Sequence, residues 1–316
     1  MSPGSRARAL VSTGAGLATA IVALVAPVAM VAIASLPACG DDPRPTRDAG
    51  AAPAAVTKLV GEIHLHQFPL GSHAWAAFLA EPVPTDRTVG DQLVAYEPAP
   101  TLVDGPCTLY VQPTCTPRCG ADTICLAHDV CTPLRPVRYI DGGDVDVTGS
   151  SLHDRIHMFF VDARGPYDAD PAPGRGQLFA GGERLEVRGG RGDLAFGGVL
   201  AAPQAVRVTD PDLARDLRLP PDAPLTLAWD SDRSLQIVVL ISVSSSVDGR
   251  AADIRCSTSD TGGLTIPRAM IAALPPPPRD ERLEIERNDE RTFSTGRPGV
   301  GVIVHVAQST WKNGTE

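Results

Sequence analysis

Between residues 138 and 307 the chain is a succession of short apolar or alternating runs punctuated by Gly, Pro and Asp, and this punctuation constrains the fold more than any other feature. The runs fall at 138–140, 145–147, 156–161, 184–187, 205–208, 224–229, 235–243, 252–256, 283–286 and 301–307. Runs this short, bounded by turn-forming residues, read as β-strands, and about ten of them in succession predict a mainly β protein built as an antiparallel β-sandwich. The run at 235–243, Leu-Gln-Ile-Val-Val-Leu-Ile-Ser-Val, is the most apolar and belongs at the sheet centre, with Trp229 packed against it. Composition agrees: 30 Gly and 30 Pro oppose a mainly helical chain, and 43% hydrophobic residues oppose wholesale disorder. One helix is expected over 266–274, with Thr265 as its cap and Pro267 at an early position. The prolines at 275–278 stop it and should form an extended, exposed tract.

Upstream, residues 56–68 largely alternate, a Pro-Leu-Gly-Ser turn follows at 69–72, and a second apolar run begins at His73, the pattern of a β-hairpin. Five cysteines, at 107, 115, 119, 125 and 131, then fall within 25 residues nearly free of large apolar side chains, and a sixth stands at 256. Such a segment cannot bury a core of its own and needs covalent staples, so residues 56–136 are expected to form a small disulfide-rich module ahead of the sandwich at 137–316. The four cysteines at 115–131 allow three pairings, between which the sequence does not choose. The reading adopted is the interleaved one, Cys115 with Cys125 and Cys119 with Cys131, leaving Cys107 for Cys256. Zinc knuckles would need Cys-x2-Cys spacing, which the cluster lacks.

At the N-terminus, Arg6 and Arg8 precede an uncharged stretch over 9–38, after which Asp41 and Asp42 follow. That is the layout of an export signal. The stretch ends Leu36-Pro37-Ala38-Cys39-Gly40, which resembles the lipobox of bacterial lipoproteins. The resemblance implies a signal peptide over 1–38, cleavage before Cys39, lipid attached to the Cys39 thiol, and a flexible tether over 39–55. Thirty uncharged residues also exceed the roughly 20 that span a bilayer, so an uncleaved anchor is the alternative. Either way the rest of the chain is exported, where paired cysteines are at home. The layout as a whole resembles uncharacterised cysteine-containing lipoproteins of myxobacteria and related deltaproteobacteria. The resemblance rests on the lipobox, the cysteine cluster, Val145-Asp146-Val147-Thr148-Gly149, Leu178-Phe179-Ala180-Gly181-Gly182, the tract at 224–229, Ile254-Arg255-Cys256 and Thr265-Ile266-Pro267. It implies a cell-envelope location and β architecture. Gly40 stands where inner-membrane retention of some lipoproteins uses Asp, which favours the outer membrane.

Glu62, His64 and His66 alternate and so share one face of a strand, where imidazoles at that spacing can hold a metal with His73 as a third ligand across the hairpin. The competing reading is the polar face of an edge strand. His153-Asp154-Arg155-Ile156-His157 is similar to the zincin motif, but Asp154 replaces the Glu and the setting is strand-like. Arg191-Gly192-Asp193 lies among glycines and is sufficient as a turn. Asp141, Asp144 and Asp146, or Asp168 and Asp170, offer oxygens to calcium without matching an EF-hand loop. Ser-rich 242–246 lacks a nucleophile elbow, and no phosphate or dinucleotide loop is present. A formal charge of −9 with scattered basic residues opposes nucleic acid as a partner. The reading is therefore a membrane-anchored lipoprotein with a non-catalytic binding or structural role at the cell envelope, toward an envelope protein or ligand, with no cofactor and no metal. The alternative is an exported metal-dependent enzyme using the histidines.

Overall fold

The N-terminal hairpin consists of β1 (Lys58–Phe68) and β2 (Gly71–Pro84), turning at Pro69 and Leu70. The computed structural model describes residues 55–84, 99–120, 123–133, 138–163, 165–170, 176–212, 217–245, 247 and 249–315. The expected signal at 1–38, Cys39 and all but the last residue of the tether at 39–55 lie outside these residues. Two more hairpins follow the first: β3 (Leu102–Asp104) with β4 (Cys107–Val111), and β5 (Thr123–Ala127) with β6 (Val130–Pro133). Next come β7 (Val145–Thr148), β8 (Ile156–Phe159), β9 (Asp168–Asp170), β10 (Arg184–Gly189) and β11 (Phe196–Ala201), which form a five-stranded sheet in the order β11-β10-β7-β8-β9. The chain continues through β12 (Val208–Asp210), β13 (Leu225–Trp229), β14 (Gln236–Ser245), β15 (Ala251–Ser259) and β16 (Gly263–Ile266). A short helix α1 (Arg268–Ala272) precedes the two longest strands, β17 (Arg279–Ser294) and β18 (Val300–Thr315).

One eight-stranded sheet, ordered β2-β1-β18-β17-β14-β15-β4-β3, organises the molecule. Its inner face carries two layers. The five-stranded sheet packs over the β1 and β18 side, joining Ile63, Leu65, Val302 and Val304 to Val147, Ile156 and Leu185. Sheet β12-β13-β16 and helix α1 pack over the other side, joining Ile237, Val239, Ile241 and Ile285 to Leu227, Trp229 and Met270. Each such side chain, fully withdrawn from water, stabilises the fold by about 1.5–3 kcal/mol.

The mainly β sandwich read from the runs is present, with β14 central and Trp229 against it. Its large sheet is mixed, however: β1 pairs β18 in parallel while its other neighbours are antiparallel. Strands β1 to β4, from the segment read as a separate module, belong to this same sheet. The helix is shorter than the expected 266–274, because residues 263–266 are drawn into β16 by pairing with β13. Pro267 stands at its N-cap. The proline tract departs from expectation at its first member: Pro275 is buried, and its carbonyl accepts a 2.6 Å hydrogen bond from the buried Arg279 guanidinium.

Three disulfides join Cys107 to Cys256, Cys115 to Cys125 and Cys119 to Cys131, the pairs adopted from the sequence. Cys107 and Cys256 face each other directly on β4 and β15 and tie the sheet edge to its interior. A second tie is polar. Asp260, fully buried, accepts 2.7 Å hydrogen bonds from Trp229 Nε1 and Arg287 Nε and a 2.8 Å bond from the Asp232 amide. Arg287 also donates to the carbonyls of Gln204 and Asp230. Every charge in this cluster is therefore matched, the condition under which a buried ion pair is tolerated.

Candidate functional site

The outer face of the eight-stranded sheet carries the chemistry. A register shift at Gly61 sets its phase: Val60 and Ile63, three residues apart, both point into the inner core, so Leu59 and Glu62 both face outward. A bulge of this kind re-aims side chains. A Cβ at residue 61 would stand 2.8 Å from the Phe78 ring, which explains glycine there. From Glu62 onward strict alternation puts His64 and His66 on the same outer face. The neighbouring strands supply the rest in register: His305 beside His64, Ala307 beside His66, and Glu290 across from His305.

The result is a groove of about 410 Å³ lined by Glu62, His64, His66 and His305 at one end and by Glu284, Glu286, Asn288 and Glu290 along β17. Val238 and Leu240 of β14, which alternate with the buried core residues of that strand, form its apolar floor. Arg255 closes it on the β15 side.

At the histidine end, the buried carboxylate of Glu62 is shared. Oε1 is hydrogen-bonded to His64 Nε2 and lies 3.3 Å from His305 Nε2. The other nitrogen of His305, Nδ1, sits 3.0 Å from Glu290 Oε2. The rings stack in a column: Trp75 against His64 at 4.3 Å between centroids, and His64 against His305 at 4.4 Å. Burial opposes charge on Glu62, yet the close contacts and charge of His305 and His64 outweigh it and hold the carboxyl at about 2. Burial likewise opposes charge on His305, but Glu290 and Glu62 prevail and push the imidazole up to about 9. His64 goes the other way: burial lowers it despite Glu62. Glu290 is lowered by its hydrogen bond to His305.

His66 has separate partners. Its Nε2 is 2.6 Å from Ser309 Oγ and 3.6 Å from Glu286 Oε2. His73, the ligand expected across the hairpin, pairs with His66 in register but is exposed and joins neither group. Partial desolvation against the sheet and the neighbouring His64 and His66 lower its imidazole below the ordinary histidine value. The constellation expected from the sequence is thus corrected: Glu62 and His64 come together as alternation implies, whereas His305, more than 200 residues away, takes the place given to His73. The reason is the parallel pairing of β1 with β18, which sets His305 beside His64. The sequence signal for His305 is one polar residue inside the apolar run Val302-Ile303-Val304-His305-Val306.

The remaining candidates stay apart. His153 Nε2 donates to the Gln177 carbonyl at 2.8 Å, while His157 Nδ1 on β8 donates to Asp146 at 2.8 Å, so the zincin-like pair shares no helix face and no ligand direction. Asp193 of the Arg-Gly-Asp tripeptide is paired with Arg297, and Arg191 with Asp141. Asp168 and Asp170 end an exposed three-residue strand around the buried Ala169. Cys115, Cys119 and Cys125 lie close together, but all three are in disulfides and offer no thiolate.

Compared with known proteins, the chain matches no family model, and no curated protein or solved structure proved similar to it.

Proposed function

We propose that the chain is an exported lipoprotein, held to the membrane by lipid on Cys39, that serves at the cell envelope as a non-catalytic binding protein with the outer-sheet groove as its ligand surface. The observation that carries the reading is the disulfide set. All six cysteines beyond Cys39 are paired, an arrangement that persists in oxidising compartments and is rare in the cytosol. The seventh cysteine of the sequence, Cys39, stands at the border of the uncharged stretch, where a lipobox-like tetrapeptide ends. Two or three acyl chains at about 0.8 kcal/mol per buried methylene give firm anchorage, and the residues after Cys39 act as a spacer. The outer membrane is the favoured address.

A binding role fits the groove because it combines an apolar floor with carboxylates and imidazoles on a rigid sheet, the mixture by which pockets fix orientation and chemistry of a ligand. The test is intact mass spectrometry of the protein from its native membrane, with and without reductant. A chain beginning at Cys39, carrying acyl mass and gaining six hydrogens on reduction, is the expected result. An unacylated full-length chain with free thiols overturns it. In parallel, Cys39→Ala should abolish labelling by a fatty-acid probe.

A further inference from the structure

We infer that Glu62, His64 and His305 form a binding site for one divalent transition-metal ion of the zinc class, ligated by Oε1 of Glu62 and Nε2 of both imidazoles. This deepens the binding role given to the groove by naming its ligand class.

Three observations converge. First, the donor atoms are already gathered: one from each residue, all within 4.8 Å of one another. Around a tetrahedral ion with bonds of about 2.0–2.1 Å, donor atoms stand roughly 3.3 Å apart. His305 Nε2 and Glu62 Oε1 are 3.3 Å apart, and His64 Nε2 lies closer still to the same carboxylate. Second, His305 Nε2 is buried and has no hydrogen-bond partner, since its contact with Glu62 lacks the alignment of a hydrogen bond. A metal ion would displace the proton from this nitrogen and give it a directed partner in place of the poorly aligned contact. Third, His305 Nδ1 is held by the Glu290 carboxylate at 3.0 Å. A ligating histidine typically gives its other ring nitrogen to a carboxylate, which fixes the tautomer and aims the free nitrogen at the metal.

Two imidazoles and one carboxylate select a transition ion over calcium or magnesium, which take oxygen ligands. Three protein donors leave a fourth position open on an ion at the groove that all three residues line. The neighbouring group of His66, Glu284 and Glu286 lacks these features. It has a single imidazole, whose Nε2 is already engaged by Ser309.

The experiment is calorimetric titration of the chelator-treated mature chain with Zn²⁺, together with visible absorption of the Co²⁺ form. We expect one ion per chain and the intense bands of a low-coordinate cobalt site. His64→Ala and His305→Gln should each abolish uptake, and His73→Ala should leave it unchanged. Glu290→Gln, which keeps all three ligands and alters a side chain 45% exposed, should weaken binding roughly 10–100-fold. If His305→Gln fails to fold, as its melting curve will show, His64→Ala and Glu290→Gln decide the question. No uptake by the wild type overturns the site. So does uptake that survives His64→Ala and vanishes in His66→Ala. Acyl mass on Cys39, read from the same preparation, keeps this test separate from the anchor: an acylated protein without zinc uptake refutes the metal site alone, and zinc uptake by an unacylated chain refutes the anchor alone.

Discussion

Asp260→Asn should be among the most damaging single substitutions in the sandwich. The side chains of Asp260 and Arg287 are 0% and 2% exposed, so removing the carboxylate charge strands a guanidinium that water cannot reach. Arg287 would keep its contacts to the Gln204 and Asp230 carbonyls but lose its only fully buried counter-charge. Breaking a buried pair from one side costs about 3–5 kcal/mol, a large part of the roughly 5–15 kcal/mol that stabilises a domain. At roughly 2–4 °C per kcal/mol, the melting temperature should fall by about 6–20 °C. Urea unfolding with the disulfides intact is the assay, read as a midpoint shift at constant slope. The double variant Asp260→Asn with Arg287→Met should recover part of the loss, since an apolar replacement for a buried pair is often close to neutral. A single-variant loss below about 1 kcal/mol, or a double variant worse than the sum of its parts, would refute the claim that the matched charge holds β17 to the β13 layer.

Other perturbations test other ties. Replacing Cys107 and Cys256 together by Ser opens a loop with a sequence separation of 149, which the chain-entropy relation converts to about 5 kcal/mol, and the melting temperature reads the loss. The logarithm makes that figure insensitive to the two short disulfides inside the loop. Glu183 accepts hydrogen bonds from the amides of Ala180, Gly181 and Ser151 and from the Ser151 hydroxyl; burial opposes its charge, but these donors hold its carboxyl at about 2 against an ordinary 4.5. Because the folded value is the lower one, its contribution is full above pH 4.5 and is lost as pH falls toward 2. Glu183→Gln should therefore melt earlier near neutral pH, by about 1 kcal/mol after allowance for solvent, and converge with the wild type in acid. Gly149 has φ +93° and a Cβ there would lie 2.3 Å from the Arg184 carbonyl oxygen, so Gly149→Ala should cost about 1–3 kcal/mol in urea unfolding.

The strands that the sequence located, among them β7, β8, β10, β13, β14 and β15, are those in which alternation or apolar runs are cut off by Gly, Pro or Asp. That signal is local, because side chains on a strand change face every residue whatever lies beside it. It also placed Glu62 and His64 on one face, and the even set of six cysteines beyond Cys39 implied disulfides. It failed where burial depends on partners. The run at 283–286 is the apolar centre of a strand reaching from Arg279 to Ser294, whose inward face also carries Arg279, Glu281, Arg287 and Asp289. These read as surface charges until their mates are known: Glu281 for Arg279, Asp260 for Arg287, the Leu219 and Ala201 amides for Glu281 and Asp289. Strand β11 was hidden by Gly197 and Gly198, the latter required because a Cβ would fall within 1.8 Å of the Phe293 ring. The site was half legible for the same reason. Alternation along β1 is written in the consecutive residues from Glu62 to Phe68, whereas the parallel pairing that sets His305 beside His64 joins segments more than 200 residues apart, and no local pattern records it.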